Sequence, residues 1–178
     1  MSEQACWTVI ERARQENTEP EEIVEEVLAI LRKSSPEQIE AFEQGLSALM
    51  VRSYTWALWG AAYLINGGCS DDGFDYFRGW LLTQGREVYE AALANPDSLA
   101  AVTDEDDLEC EEMLYVAGHA YEEVTGEELE GTMMDYSDLG EGWDFDDGEQ
   151  MQRRYPKLWA RFGWGDEDDE EEDDEGDE

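Results

Sequence analysis

The chemically richest stretch of the chain is Ser70-Asp71-Asp72-Gly73-Phe74-Asp75-Tyr76-Phe77-Arg78-Gly79-Trp80-Leu81. On a helix Asp71, Asp75 and Arg78 fall at i, i+4 and i+7, so they share a face. Between Lys33 and Arg153 the basic residues are Arg52, Arg78 and Arg86 alone. Scarce cations beside clustered carboxylates suit a polar pocket. There Asp71, Asp72 and Asp75 would act as metal ligands or acid/base groups, and Arg78 or Arg86 would hold an anionic substrate. The competing reading is structural: Asp at a helix start is stabilised by the helix dipole, about 0.3–1 kcal/mol per charge, and an ion-pair network then fixes how two helices dock.

His119 is the sole histidine, so any nucleophile–histidine chemistry must use it. It shares a polar helical face with Glu112, Tyr115, Glu122 and Glu123. With Glu123 four residues on it could form a two-ligand clip, but one imidazole among carboxylates is a weak transition-metal set. A surface imidazole explains it more simply, and no Ser or Cys sits in a recognisable nucleophile elbow. Glu21-Glu22-x-x-Glu25-Glu26 has the spacing of Mg²⁺-holding helical carboxylates, yet faces away from the Ile23–Val27–Leu31 stripe, as a solvated face does. Trp56, Trp59 and Tyr63, at i, i+3 and i+7, together with Tyr76 and Trp80, either line a ligand groove or form core or an interface. Arg52, Arg86, Trp56 and Trp59 are the candidate binding residues. Tyr136, Leu139, Trp143 and Phe145 alternate with acids, which reads as a loop pinned by its aromatics or a docking segment; the acid spacing fits no EF-hand. No metal site and no cofactor are expected.

The elements that must position these residues read as helices. Ser35-Pro36-Glu37-Gln38 is a capping box with Pro at the first helical position. From it an apolar helix is expected to run as far as Ile65, bent near Gly60. Ile23, Val24, Val27, Leu28 and Leu31 form an amphipathic stripe behind Pro20. Asn66-Gly67-Gly68 stops the central helix and Ser70 caps the next. Gly85 breaks that one, Thr103 is expected to cap a further helix, and Cys110, Leu114, Ala117, Tyr121 and Val124 form its seam. Residues 127–148 read as loop, and a helical end follows, interrupted at Tyr155-Pro156. No period-2 alternation appears. The fold class expected is all-α: one compact domain of about six helices over residues 1–164. Its core includes Ile23, Val27, Leu31, Phe42, Leu46, Leu58, Phe74, Phe77, Leu81, Leu114 and Tyr121.

The chain carries 48 Asp and Glu against 11 Lys and Arg, a formal net charge of −37 over 178 residues. Twelve of those acids fall in the last fourteen residues, a self-repelling block expected to be a disordered acidic tail, 165–178. Seven Trp and an aromatic share of 11% set the rest apart from disordered acidic chains and predict a buried core. Such charge opposes direct binding to nucleic acid, whose phosphates need a basic face, and to anionic membranes. No apolar run is long enough for a span, and no signal peptide is evident at the start. Three widely spaced cysteines without a Cys-x-x-Cys point to reduced thiols and a cytoplasmic setting.

The Asp71-to-Leu81 string resembles the signature of a bacterial family of unknown function, DUF 4240. The similarity continues through Gly85, Val88, Tyr89 and Asn95-Pro96-Asp97-Ser98-Leu99, and at Trp7-x-x-Ile10 and Tyr155-Pro156-Lys157-Leu158. It covers about residues 5–162 and implies one compact bacterial cytosolic domain, with no activity attached.

Three functions are compatible with these residues. The leading expectation is a protein-interaction or accessory module with a strongly acidic surface and a basic protein partner, and the chain leans towards not being an enzyme. The alternative is a small metal-dependent hydrolase using Asp71, Asp72, Asp75 and Arg78. A DNA mimic that occupies a nucleic-acid-binding protein is the third.

Overall fold

The computed structural model describes residues 2–132, 134–136 and 139–164. The expected acidic tail, 165–178, lies outside the described residues. Nine α-helices and two 3₁₀ turns make up the regular structure among them, and no strand occurs there. They are α1 Ser2–Ala13, α2 Pro20–Leu31, α3 Pro36–Arg52, α4 Trp56–Asn66, α5 Asp71–Thr83, α6 Arg86–Ala94, 3₁₀ turns Pro96–Ala101 and Glu111–Leu114, α7 Val116–Thr125, α8 Gly148–Arg154 and α9 Pro156–Phe162.

The local signals act as the sequence implies. Ser35 Oγ accepts from the Gln38 amide at 3.3 Å and the Gln38 side chain accepts from the Ser35 amide at 2.9 Å, completing the capping box. Ser70 Oγ takes the Gly73 amide at 3.1 Å, which starts α5. Gly67, at φ 65°, closes α4 in the left-handed conformation that glycine adopts at least cost.

The helix count corrects the expectation of about six. The long central helix is two helices, broken at Ser53–Thr55 rather than bent at Gly60. Ser53 Oγ bonds back to the Leu49 carbonyl at 2.8 Å, and Thr55 Oγ accepts the Leu58 amide at 3.2 Å as a new cap. Gly60 instead lies inside α4, where a Cβ would come 2.5 Å from the Tyr155 hydroxyl. Thr103 caps no helix: its hydroxyl accepts the Glu105 amide at 3.0 Å in a turn, and α7 starts only at Val116. The seam of α7 is set by Val116, Ala117 and Ala120 with Met113 before it. Leu114 and Tyr121 are half-buried and Val124 is exposed.

α1 packs along α3 over the most extensive helix interface, α2 and α3 both meet α7, and α9 lies against α4 and the Pro96–Ala101 turn. Trp7, Ile23, Val27, Leu31, Phe42, Leu46, Leu58, Phe74, Phe77 and Leu81 are buried at their centre. The Glu111–Leu114 turn crosses α5 at Gly79. There the Cys110 amide donates to the Tyr76 carbonyl at 2.9 Å, and a Cβ on Gly79 would collide with the Cys110 carbonyl. Gly79→Ala is expected to lower stability by about 1–3 kcal/mol through this overpacking, read as a shifted urea midpoint. A midpoint unchanged from wild type would show that the crossing can loosen freely.

Candidate functional site

Arg78 is fully buried. Its Nη1 donates to the Met50 carbonyl in the last turn of α3, its Nε to the Phe74 carbonyl at 3.3 Å, and its Nη2 to Asp75. Three rings close around the guanidinium, with centroids 4.5 Å (Phe74), 5.0 Å (Tyr54) and 5.3 Å (Tyr136) from its carbon. A cation at the carbonyl end of α3 complements the helix dipole, and the ring faces replace lost hydration. This one side chain ties α5 to the end of α3 where the backbone breaks.

The carboxylates do not converge. Asp71 and Asp72 are exposed in the first turn of α5, and Asp71 Oδ1 accepts the Asp72 amide at 3.0 Å. Asp75, about one-third open to solvent, turns to Arg78. Among the described residues no three His, Cys, Asp or Glu side chains are grouped as a metal would need. Cavities of about 410, 650, 440 and 680 Å³ take no wall from Asp71, Asp72, Asp75 or Arg78.

Arg52 and Arg86 reach α1 instead. Arg52 pairs with Glu3 at 2.7 Å and with Glu90, and lies over the Tyr89 ring; Arg86 donates to Gln4 at 3.1 Å. His119 is exposed on α7, and Glu123 accepts from Nε and Nη2 of Arg32, the latter at 2.8 Å. The three thiols are free, and burial pushes Cys69 up to about 12 and Cys110 up to about 11, so neither supplies thiolate at neutral pH.

Of the expected aromatic set, Trp56, Trp59 and Tyr63 share α4, while Trp80 lies against Phe77. Trp56 stacks on Trp59 and Trp59 on Phe74, with centroids 5.5 and 4.8 Å apart. The Trp59 indole donates to the Cys69 carbonyl at 2.9 Å. Over the outer side of the α4 rings lie residues 139–147: the Trp56 indole donates to the Gly140 carbonyl at 3.0 Å, Phe145 meets Trp56 and Tyr63, and the Tyr63 hydroxyl donates to Asp146 at 2.5 Å. The acidic-aromatic loop is thus pinned by its rings.

Residues 1–123 match a family described as a protein of unknown function, DUF4240. The chain belongs to the DUF4240 family. No curated protein and no solved structure matches it. Arg78 with Asp75, Met50, Tyr54 and Phe74, Asp97, and Trp56, Trp59 and Tyr63 lie within the matched part; Tyr136, α8, α9 and the 139–147 loop lie beyond it, as does the likeness read at Tyr155–Leu158.

One residue of this DUF4240 chain that the spacing analysis passed over is Asp97. It is buried, and its carboxylate accepts the Leu158 amide at 2.9 Å and the Lys157 amide at 3.0 Å. It thereby caps α9, whose preceding residue, Tyr155, has no side-chain oxygen within reach of its own helix start. The signal was present: a Pro-led helix behind a non-capping residue needs an acceptor from elsewhere.

Titration of this DUF4240 chain works in two opposed directions. Burial raises Glu43 above the usual carboxylate range, and raises Asp75 as well against the opposing pull of Arg78. A raised folded value means the native state binds the proton more tightly, so stability grows as pH falls from neutrality through it. Glu123 is lowered by Arg32, Asp147 by Gln150, and Glu37 by its own amide and Ser35. Those contributions exist above the unfolded value and vanish as acid protonates the native carboxylates. Thermal melts should therefore show Tm rising from pH 7 to about 5 and falling below about 4. Relief of self-repulsion acts in the same direction on the first limb. A Tm that drops steadily from pH 7 downward would contradict it.

Proposed function

We propose that this chain is an interaction module that binds a basic protein through an acidic surface. The supporting observation is charge without compensation. The formal charge is −37, and four of the eleven cations are engaged by acids of the same chain: Arg14 by Glu11, Arg32 by Glu123, Arg52 by Glu3 and Glu90, Arg78 by Asp75. Glu21, Glu22, Glu25 and Glu26 on α2 and Asp104 to Asp107 after the first 3₁₀ turn stay exposed. Such a field steers basic partners and raises their association rate.

The test is capture from lysate in low salt, followed by titration of the purified partner across a salt series. Affinity should fall steeply with salt. Absence of a salt-sensitive partner would end this reading. If DNA competes for the partner, the module is a DNA mimic.

The metal-dependent hydrolase reading draws less support, because Arg78 is enclosed and Asp75 is engaged. Calorimetry with Mg²⁺, Mn²⁺ and Zn²⁺ on wild type and on Asp71→Asn/Asp75→Asn separates the two. Heat in the wild type that the double variant loses would restore the hydrolase.

A further inference from the structure

We propose that residues 139–147 are a displaceable strap lying in a peptide groove on α4, and that the groove's ligand is an extended segment carrying an indole-x-phenyl pair with basic neighbours. The proposal rests on the reading of a basic partner and names its docking site. The strap shows the seat. Trp143 packs beside Gly60, where a Cβ would lie 3.2 Å from its ring, and the Arg154 guanidinium covers it at 3.7 Å from the centroid. Phe145 sits 5.9 Å from Trp56 and 5.4 Å from Tyr63, centroid to centroid. The Trp56 indole and Tyr63 hydroxyl hold the strap at Gly140 and Asp146.

The strap fills this seat imperfectly. The indole N–H of Trp143 is buried and finds no acceptor among the described residues, a cost that solvent would relieve on release. A cavity of about 440 Å³ remains between Leu139, Glu141 and Trp143 of the strap and Val51, Tyr54 and Trp56 of the body. Glu141, Asp144, Asp146 and Asp147 put four of the chain's 48 acids in this seat, against a net charge of −37, so a basic segment fits the same place with better electrostatics. The seat lies in the part matched to the family and the strap beyond it. The strap also belongs to the segment joining α7 to α8, longer than the roughly 12–15 residues usual for connections without a function.

The probe is the nonapeptide of residues 139–147 with Glu141→Lys and Asp144→Lys, retaining the Asp that accepts from Tyr63. A peptide with Glu141→Gln and Asp144→Asn, which keeps two acids and no lysine, is the control. Two full-length variants open the strap: Trp143→Ala/Phe145→Ala, and Gly142→Ala, whose Cβ would press to 2.8 Å from the Trp56 ring. Both are checked by circular dichroism. Removing a competing intramolecular occupant raises apparent affinity by the inverse of the open fraction, so each variant should bind the lysine probe at least ~10-fold tighter than wild type. The lysine probe should also bind more tightly than the Gln/Asn control, and Trp56→Ala in the opened chain should abolish binding. Affinity unchanged by opening, binding that survives Trp56→Ala, or equal affinity for the two peptides would overturn the proposal. So would a wild-type dimer that excludes the probe, which would make a second copy the occupant. A salt-sensitive basic partner that still binds after any of these results would leave the interaction module standing without this groove.

Discussion

Arg78→Met is expected to cost about 3–5 kcal/mol in folding stability, the largest effect of any single substitution considered. The side chain is fully buried, so its removal empties the space between three rings and leaves the Met50 carbonyl with only a long contact to the Ser53 hydroxyl at 3.2 Å. Asp75 is partly solvated, so the ion pair as such contributes little; the loss comes from the buried hydrogen bonds and the ring contacts. Arg78→Lys keeps the charge but not the planar fork that serves Met50, Phe74 and Asp75 together, and should recover only part of the loss. Urea unfolding at constant pH gives both values. A loss below about 1 kcal/mol for Arg78→Met would mean that the guanidinium does no more than occupy volume. It would also return Arg78 to consideration as a ligand-binding group.

Asp97→Ala is expected to cost about 2–4 kcal/mol, because two amides at the partly buried start of α9, Lys157 and Leu158, lose their shared acceptor. The effect should be local as well as global. Amide exchange should accelerate first in α9 and at Tyr155, whose hydroxyl donates to the Ala57 carbonyl at 2.6 Å and ties this end to α4. Asp97→Asn retains one carbonyl acceptor and should cost less than half as much. If the two variants are equally destabilised, the carboxylate's charge rather than its acceptor geometry holds α9. Uniform exchange along the chain would show that α9 is not a separate unit of opening.

The likeness between the two residues explains what was readable and what was not. Ser35, Ser70 and Gly67 act within one helical turn of themselves, and their consequences follow from residue type and spacing. The stripes of α2 and α5 bury the expected side chains for the same reason: a helix of 3.6 residues per turn has only one way to present Ile23, Val27 and Leu31 to a common face. Arg78 could be placed beside Asp75, three residues away, but not beside Met50, twenty-eight residues back. On that missing contact turned the choice between a substrate-binding arginine and one that docks α5 against α3.

From its own order of residues the chain determined an all-helical body, the starts of α2, α3 and α5 and most of its core, since capping and amphipathic spacing are short-range effects. Only tertiary packing decided that Arg78 reaches the Met50 carbonyl on α3, and that Asp97 caps a helix sixty residues away. Each of those outcomes depends on a polar group leaving water for a partner distant along the chain. Its cost or gain exists only once the apolar faces have come together.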